Sequence, residues 1–226
     1  MNENYKRYND TVSSAFSELV RKDELVVKKT QNITSLLADN AKTVLHFGFG
    51  PVAVGLAAAG YTVHIADATD TRGFAIYDPD QRYDAVIALD EYFTFAASED
   101  EQNKLIDTAF DLTKKMLITS LSDYKNMSEN HREFSDPQSY KTINGTVAYL
   151  ERHIKQSRNS WQTKIHKILE TDECITTGPF ERRSLYFKQL ARHAEDFGSK
   201  QFEFQKSMMY KGMLRKSYEH IIMIRF

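Results

Sequence analysis

The stretch 43–67 constrains the fold more than any other part of the chain. It begins with Val44-Leu45-His46-Phe47, a short and mostly apolar run suited to a strand buried in a parallel sheet. Gly48 and Gly50 follow at once, where glycine permits positive φ and lets a ligand approach the backbone closely. Residues 52–59 are apolar and alanine-rich, fit for a helix packed on a sheet, and Gly60 ends that helix. Residues 61–66 form a second strand, with Asp67 at its carboxyl end. A helix start offers unpaired N–H groups beside the turn, and an acid after the second strand is placed to accept ribose hydroxyls. The sequence therefore predicts a nucleotide-binding βαβ unit.

The glycine pattern narrows the ligand. Ala53 stands where the dinucleotide fingerprint has its third glycine, and the next glycine is Gly55. A pyrophosphate prefers all three glycines, whereas an adenosyl ligand without phosphate needs mainly the first turn and the acid.

A second informative run is 83–94. Val86 to Leu89 reads as a central buried strand with Asp90 and Glu91 at its carboxyl end, where open α/β sheets bind ligands. Buried acids are costly, so adjacent carboxylates there point to a ligand site, with helix capping as the alternative.

These two runs resemble motifs I and IV of the class I S-adenosylmethionine (SAM) dependent methyltransferases. The resemblance covers residues 42–122 well and 181–226 loosely. It implies an α/β fold: a Rossmann-like doubly wound sheet, mostly parallel, with an antiparallel C-terminal strand. It implies SAM as cofactor, held by Phe47, Gly48, Gly50, Asp67, Ala68, Asp78, Leu89 and Asp90, with Asp78 at the adenine amino group and Asp90 and Glu91 as catalytic candidates. Two residues depart from the family: His46 stands where an acid is usual, and Val52 where another glycine is frequent. With the short 68–83 segment they leave open a catalytically idle SAM-fold binding protein. Gly-x-Gly-Pro leaves open a nicotinamide- or flavin-linked oxidoreductase. The ending, with Met209-Tyr210-Lys211 and Tyr218 to Ile222, also resembles uncharacterised phage-encoded methyltransferase-like proteins.

The remaining sequence sets the organisation. An N-terminal helical segment, 1–41, precedes a SAM-binding domain, 42–226, with an inserted loop or hairpin region at about 123–177. Residues 5–38 carry apolar pairs at helical spacing, with Asp23 as cap of a second helix and Asp39-Asn40 closing it. Ser98-x-x-Glu101 is a capping box opening a helix to about 115, and 116–120 is the next strand. Residues 149–154 read as helix or strand, and 161–168 pairs with 174–177. Residues 181–197 read as one strong helix, with Arg182-Arg183 at its start hinting at an anionic partner. Strands at 201–208 and 220–226 close the chain.

Residues 1–120 hold 12 Lys+Arg against 18 Asp+Glu, and 121–226 hold 18 against 13, so basic charge gathers in the second half. Trp161, His166, Arg152, Arg158 and Lys164 make that region the expected acceptor side, for an anionic acceptor. The net charge of −1 gives no gross pull toward nucleic acid or membrane, and the acceptor is left as small molecule or nucleic acid. A single cysteine, Cys174, excludes a disulfide framework and a thiolate zinc cluster, and no His-Glu-x-x-His spacing occurs, so no metal is expected. No signal peptide or long apolar run stands out, so the expectation is a cytoplasmic protein without membrane contact.

Overall fold

The computed structural model describes residues 2–20, 22–37, 41–69, 71–122, 133–135, 137–205 and 219–226. Asp39, Asn40, Met208 to Tyr218 and the polar stretch 123–132 lie outside these.

Two helices precede the first strand, α1 (Glu3–Ser17) and α2 (Lys22–Thr34). Asn2 caps α1, its side-chain oxygen accepting the Tyr5 N–H at 3.0 Å. Asp23 lies inside the first turn of α2 and not before it. Then come β1 (Thr43–Phe47), α3 (Pro51–Ala58), β2 (Thr62–Ala66), β3 (Ala75–Ile76) and β4 (Tyr83–Ala88). A 3-10 turn (Tyr92–Phe95), α4 (Glu99–Asp111) and β5 (Thr113–Ser122) follow. A seven-stranded sheet forms in the order β10-β11-β5-β4-β1-β2-β3, with β10 (Gln201–Gln205) and β11 (Glu219–Arg225) from the end of the chain. β1 to β5 run parallel, and β11 is antiparallel to both β5 and β10.

Strand alternation divides the core between two faces. Leu45, Phe47, Val86 and Leu117 pack with Ile106 and Phe110 of α4. Val44, Val63, Ile87 and Ile118 pack on the other face with Ile33, Val52 and Leu56 of α2 and α3. A one-residue slip would exchange these sets, so burial fixes the register. Gly55 explains how α2 sits so close to α3. A Cβ there would meet Thr30 Oγ1 at 1.7 Å.

Neither connection flanking β3 carries a helix among the described residues, and Ile76 is 73% exposed at that edge. The short 68–83 segment thus forms a two-residue strand between turns.

The inserted region is larger than a hairpin. β6 (Gln138–Thr142), β7 (Gly145–Lys155), β8 (Ser160–Leu169) and β9 (Cys174–Arg183) make a four-stranded antiparallel sheet in chain order. The expected helix over 181–197 is divided. Residues 181–183 end β9, and α5 spans Phe187–Asp196. The reason is alternation: Phe180 and Arg182 are buried with Glu181 exposed between them, a period of two. Arg182-Arg183 is therefore no helix start.

Candidate functional site

Three neighbouring parallel strands, β4, β1 and β2, end at one edge of the large sheet and deliver Asp90, Gly48 and Asp67 there. The turns are tight. Gly48 has φ 81°, and the non-glycine residues Asp67, Asp90 and Glu91 have φ of 53°, 54° and 59°. Non-glycine residues at positive φ are uncommon and strained, and such strain gathers at functional sites.

Asp67 is held by two donors on one oxygen. Its Oδ2 accepts the Asn2 main-chain N–H at 3.0 Å and the Tyr92 hydroxyl at 2.6 Å. The residue is 3% exposed, and Oδ1 has no partner among the described residues. Burial, followed by the charge of Asp67, raises the Tyr92 hydroxyl well above its ordinary range, so it stays a donor. The Tyr92 ring stacks on Phe47 at 4.2 Å.

His46 lies under the glycine turn, 6% exposed. Its Nδ1 is 2.9 Å from the Gly48 carbonyl oxygen. A carbonyl can only accept, so Nδ1 carries the proton and Nε2 holds the lone pair of the neutral ring. Burial lowers the His46 pKa; the Gly48 hydrogen bond and the Asp90 charge oppose this more weakly. Nε2 is buried and has no partner among the described residues. Two buried acceptor atoms are thus without a partner among the described residues, Oδ1 of Asp67 and Nε2 of His46.

The two turn glycines differ. A Cβ on Gly48 would lie 2.5 Å from Asn9 Nδ2 and 2.7 Å from the Tyr5 hydroxyl, so α1 fills that space. A Cβ on Gly50 would meet nothing within 4 Å, so the turn is open there. α1 forms the roof: the Asn9 side chain both donates to and accepts from the Phe49 main chain, and Tyr5 donates to the Phe47 carbonyl at 3.1 Å. A cavity of about 190 Å³ opens beside Asp67, lined by Phe47, Ala66, Tyr77, Tyr92 and Leu105. Ala68 is half-buried and Leu89 buried at the same edge.

The other expected residues fall differently. Glu91 is 1% exposed and its carboxylate meets the Arg182 guanidinium at 2.5 Å, so it is committed to an ion pair. Arg182 lies over the Phe95 and Tyr8 rings and 3.7 Å from Glu151, which accepts the Tyr8 hydroxyl at 2.6 Å. Asp90 alone of the adjacent acids is half-exposed. Asp78 is exposed, and its Oδ1 accepts the Asp80 N–H in its own turn.

The basic residues of the second sheet do not converge on this edge as one surface. Trp161 is buried, its indole N–H donating to Ser184 Oγ at 3.0 Å. Lys164, on the opposite face of β8, is the cross-strand neighbour of Arg152, which pairs with Glu133. Strand alternation thus separates Trp161 from Lys164, and Arg158 lies in an exposed turn.

Asn2, Tyr5, Asn9 and Tyr92 carry no local sequence signal of a role at this edge, and Arg182, expected to face an anionic partner, meets Glu91 of the same chain instead. Among the described residues no cluster of His, Cys, Asp and Glu is placed to hold a metal ion, and no helix is long and apolar enough to cross a membrane.

No protein-family model and no curated protein matches the sequence. Solved structures do match the fold. The CcbJ methyltransferase of Streptomyces caelestis superposes with a TM-score of 0.66 at 17% identity, over 97% of this chain and 98% of that one. DesVI of Streptomyces venezuelae gives 0.69 at 10% identity, over 95% and 96%. SAM-bound CalS10, an amino pentose methyltransferase of Micromonospora echinaspora, gives 0.58 at 13% identity, over 89% and 90%. Strand order, the antiparallel β11 and these superpositions together give the chain the fold of the class I SAM-dependent methyltransferases.

Proposed function

We propose that the chain binds SAM at the carboxyl edge of β1, β2 and β4 and transfers its methyl group to an acceptor molecule. The observation that carries this reading is the pair of buried, unsatisfied acceptors, Asp67 Oδ1 and His46 Nε2. Leaving such atoms unpaired costs about 1–3 kcal/mol each. A ligand with a ribose hydroxyl at one end and an ammonium at the other satisfies both. Asp67 takes the ribose hydroxyl. His46, neutral and fixed in its tautomer by Gly48, accepts from the ammonium in place of the acid that is usual there. Gly48 and Gly50 shape the turn, and Phe47, Ala68 and Leu89 wall it. Asp78 has its other oxygen for the adenine amino group.

Bound there, SAM supplies an electrophilic methyl on a sulfonium, and the protein's main task is alignment. Asp90 adds negative charge beside this cation and can take a proton from an acceptor that must lose one. Glu91, closed in its ion pair, holds the turn that presents Asp90.

The oxidoreductase reading finds less support. Ala53 replaces the third glycine of the dinucleotide fingerprint, and Gly55, the next glycine, is taken up by packing against Thr30. Calorimetry tests the choice. SAM and S-adenosylhomocysteine are expected to bind, and NAD and FAD are not. Failure of both adenosyl ligands to bind overturns the proposal. A catalytically idle binder would hold SAM yet never consume it when cell extract is supplied as acceptor.

A further inference from the structure

Asn2 has more polar contacts at this edge than a helix cap needs. The residue is 2% exposed. Its main-chain N–H donates to Asp67 Oδ2 at 3.0 Å, and its side-chain Oδ1 accepts the Tyr5 N–H at 3.0 Å. That second bond fixes which way the amide points, because the oxygen must face the N–H. The other amide atom, Nδ2, is a donor, buried and without a partner among the described residues. Asp67 Oδ1, an acceptor, is buried and unpartnered on the residue that Asn2 touches. Two residues in direct contact thus carry one buried donor and one buried acceptor, each without a partner among the described residues. One hydroxyl can donate to the carboxylate while its neighbour accepts from the amide, so a vicinal diol satisfies both.

We propose that Asn2 is a cofactor-contacting residue, its Nδ2–H donating to one hydroxyl of the adenosyl ribose while the other hydroxyl donates to Asp67 Oδ1. This rests on the SAM reading above. It makes α1 a wall of the cofactor site as well as its roof. Asn9 and Tyr5 pin the helix to the main chain at Phe49 and Phe47, and Asn2 carries its first residue to the ribose. Ligand binding and the docking of α1 are then linked, because the ribose completes the bonding of the helix cap.

The test uses the full chain with S-adenosylhomocysteine and its 2′-deoxy and 3′-deoxy analogues, followed by calorimetry. Asn2→Ser keeps an N-cap oxygen and removes the amide donor. It is expected to weaken S-adenosylhomocysteine binding about tenfold, the size of one hydrogen bond lost to a buried hydroxyl. With the deoxy analogue lacking the partner hydroxyl, wild type and variant are expected to bind alike. The melting temperature without ligand is expected to hold, since the cap remains. A variant that binds all three ligands as the wild type does overturns the assignment of Asn2, provided that Asp67→Ala weakens binding. A variant that loses affinity equally for all three ligands overturns it too, by making the effect structural. If the wild type binds none of the three, the cofactor reading itself falls.

Discussion

Arg182 reaches from the last strand of the small sheet to Glu91 at the edge of the large one, and the two meet at 2.5 Å with both side chains buried. Glu91 follows Asp90, and both residues have left-handed backbone angles. Ser120 Oγ accepts the Glu91 N–H, and Thr94 donates both its N–H and its hydroxyl to the Glu91 carbonyl. The ion pair therefore closes a strained turn that already has its main chain bonded, and ties that turn to the second sheet.

Removing one partner of a buried pair leaves the other charge uncompensated. Arg182→Met is expected to destabilise the fold by about 3–5 kcal/mol, measured by urea unfolding. Arg182→Met with Glu91→Gln removes both charges and is expected to recover part of that loss. A single variant as stable as the wild type would mean that the pair contributes nothing here.

How legible the site was depends on the range of the contacts that make it. The turn at Gly48 and Gly50, the acid at Asp67 and the strand before Asp90 are local patterns, and each is where its run of residues placed it. Arg182 was misread because two arginines followed by leucines suit a helix start as well as a strand end. The burial of Phe180 and Arg182 on either side of exposed Glu181, with Glu91 and Glu151 against the guanidinium, decides for the strand. Trp161 and Lys164 are close in sequence, yet the alternation of 161–168 sets them on opposite faces of β8, so they form no single surface. Asn2 and Tyr92 reach Asp67 from 65 and 25 residues away, a relation that no local spacing records.

The two turn glycines are expected to respond differently to the same change. Gly48→Ala places a methyl against Asn9 and Tyr5 at positive φ, so it should displace α1 and lower the melting temperature. Gly50 has φ −179° and open space at its Cβ, so Gly50→Ala should change stability by less than about 0.5 kcal/mol. If SAM lies along the turn, Gly50→Ala should nevertheless weaken its binding. Unchanged affinity in a well-folded Gly50→Ala chain would move the ligand away from this glycine.

At the opposite end of the sheet, Asp84 fastens β4 to the start of β1. Its Oδ2 accepts the Lys42 N–H at 2.8 Å and the Thr43 N–H at 3.1 Å, and Lys115 Nζ lies 3.1 Å from Oδ1. Burial alone would raise its pKa. These two backbone donors and the ammonium outweigh that and hold the carboxyl well below its ordinary 3.8. A depressed acid stabilises the folded state fully above its unfolded value and loses that contribution as pH falls through the folded one. Asp84→Asn should therefore be less stable than wild type at neutral pH, with the gap narrowing below about pH 3.8. Parallel stability curves for the two proteins down to acid unfolding would rule this clamp out.

His46 offers the sharpest test, because on the SAM reading one group bears on both stability and ligand binding. Its folded pKa is lowered from 6.5, chiefly by burial, so the folded chain holds the ring neutral where the unfolded chain begins to protonate it. The sign follows: its share of stability is complete above pH 6.5 and is lost as pH falls from there through the lower folded value. His46→Phe removes the titration, so between pH 7.5 and pH 5 the wild type should lose more stability than the variant. Ligand binding adds an independent reading. On the proposed SAM reading, neutral Nε2 would accept from the methionine ammonium, which the protonated ring would repel. Affinity for SAM in His46→Phe should be about tenfold weaker at pH 7.5, the worth of one charge-assisted hydrogen bond. Calorimetry at pH 7.5 on both proteins decides it. An affinity for SAM at pH 7.5 equal in the two proteins would show that His46 does not face the ligand, leaving its lone pair as a feature of the core.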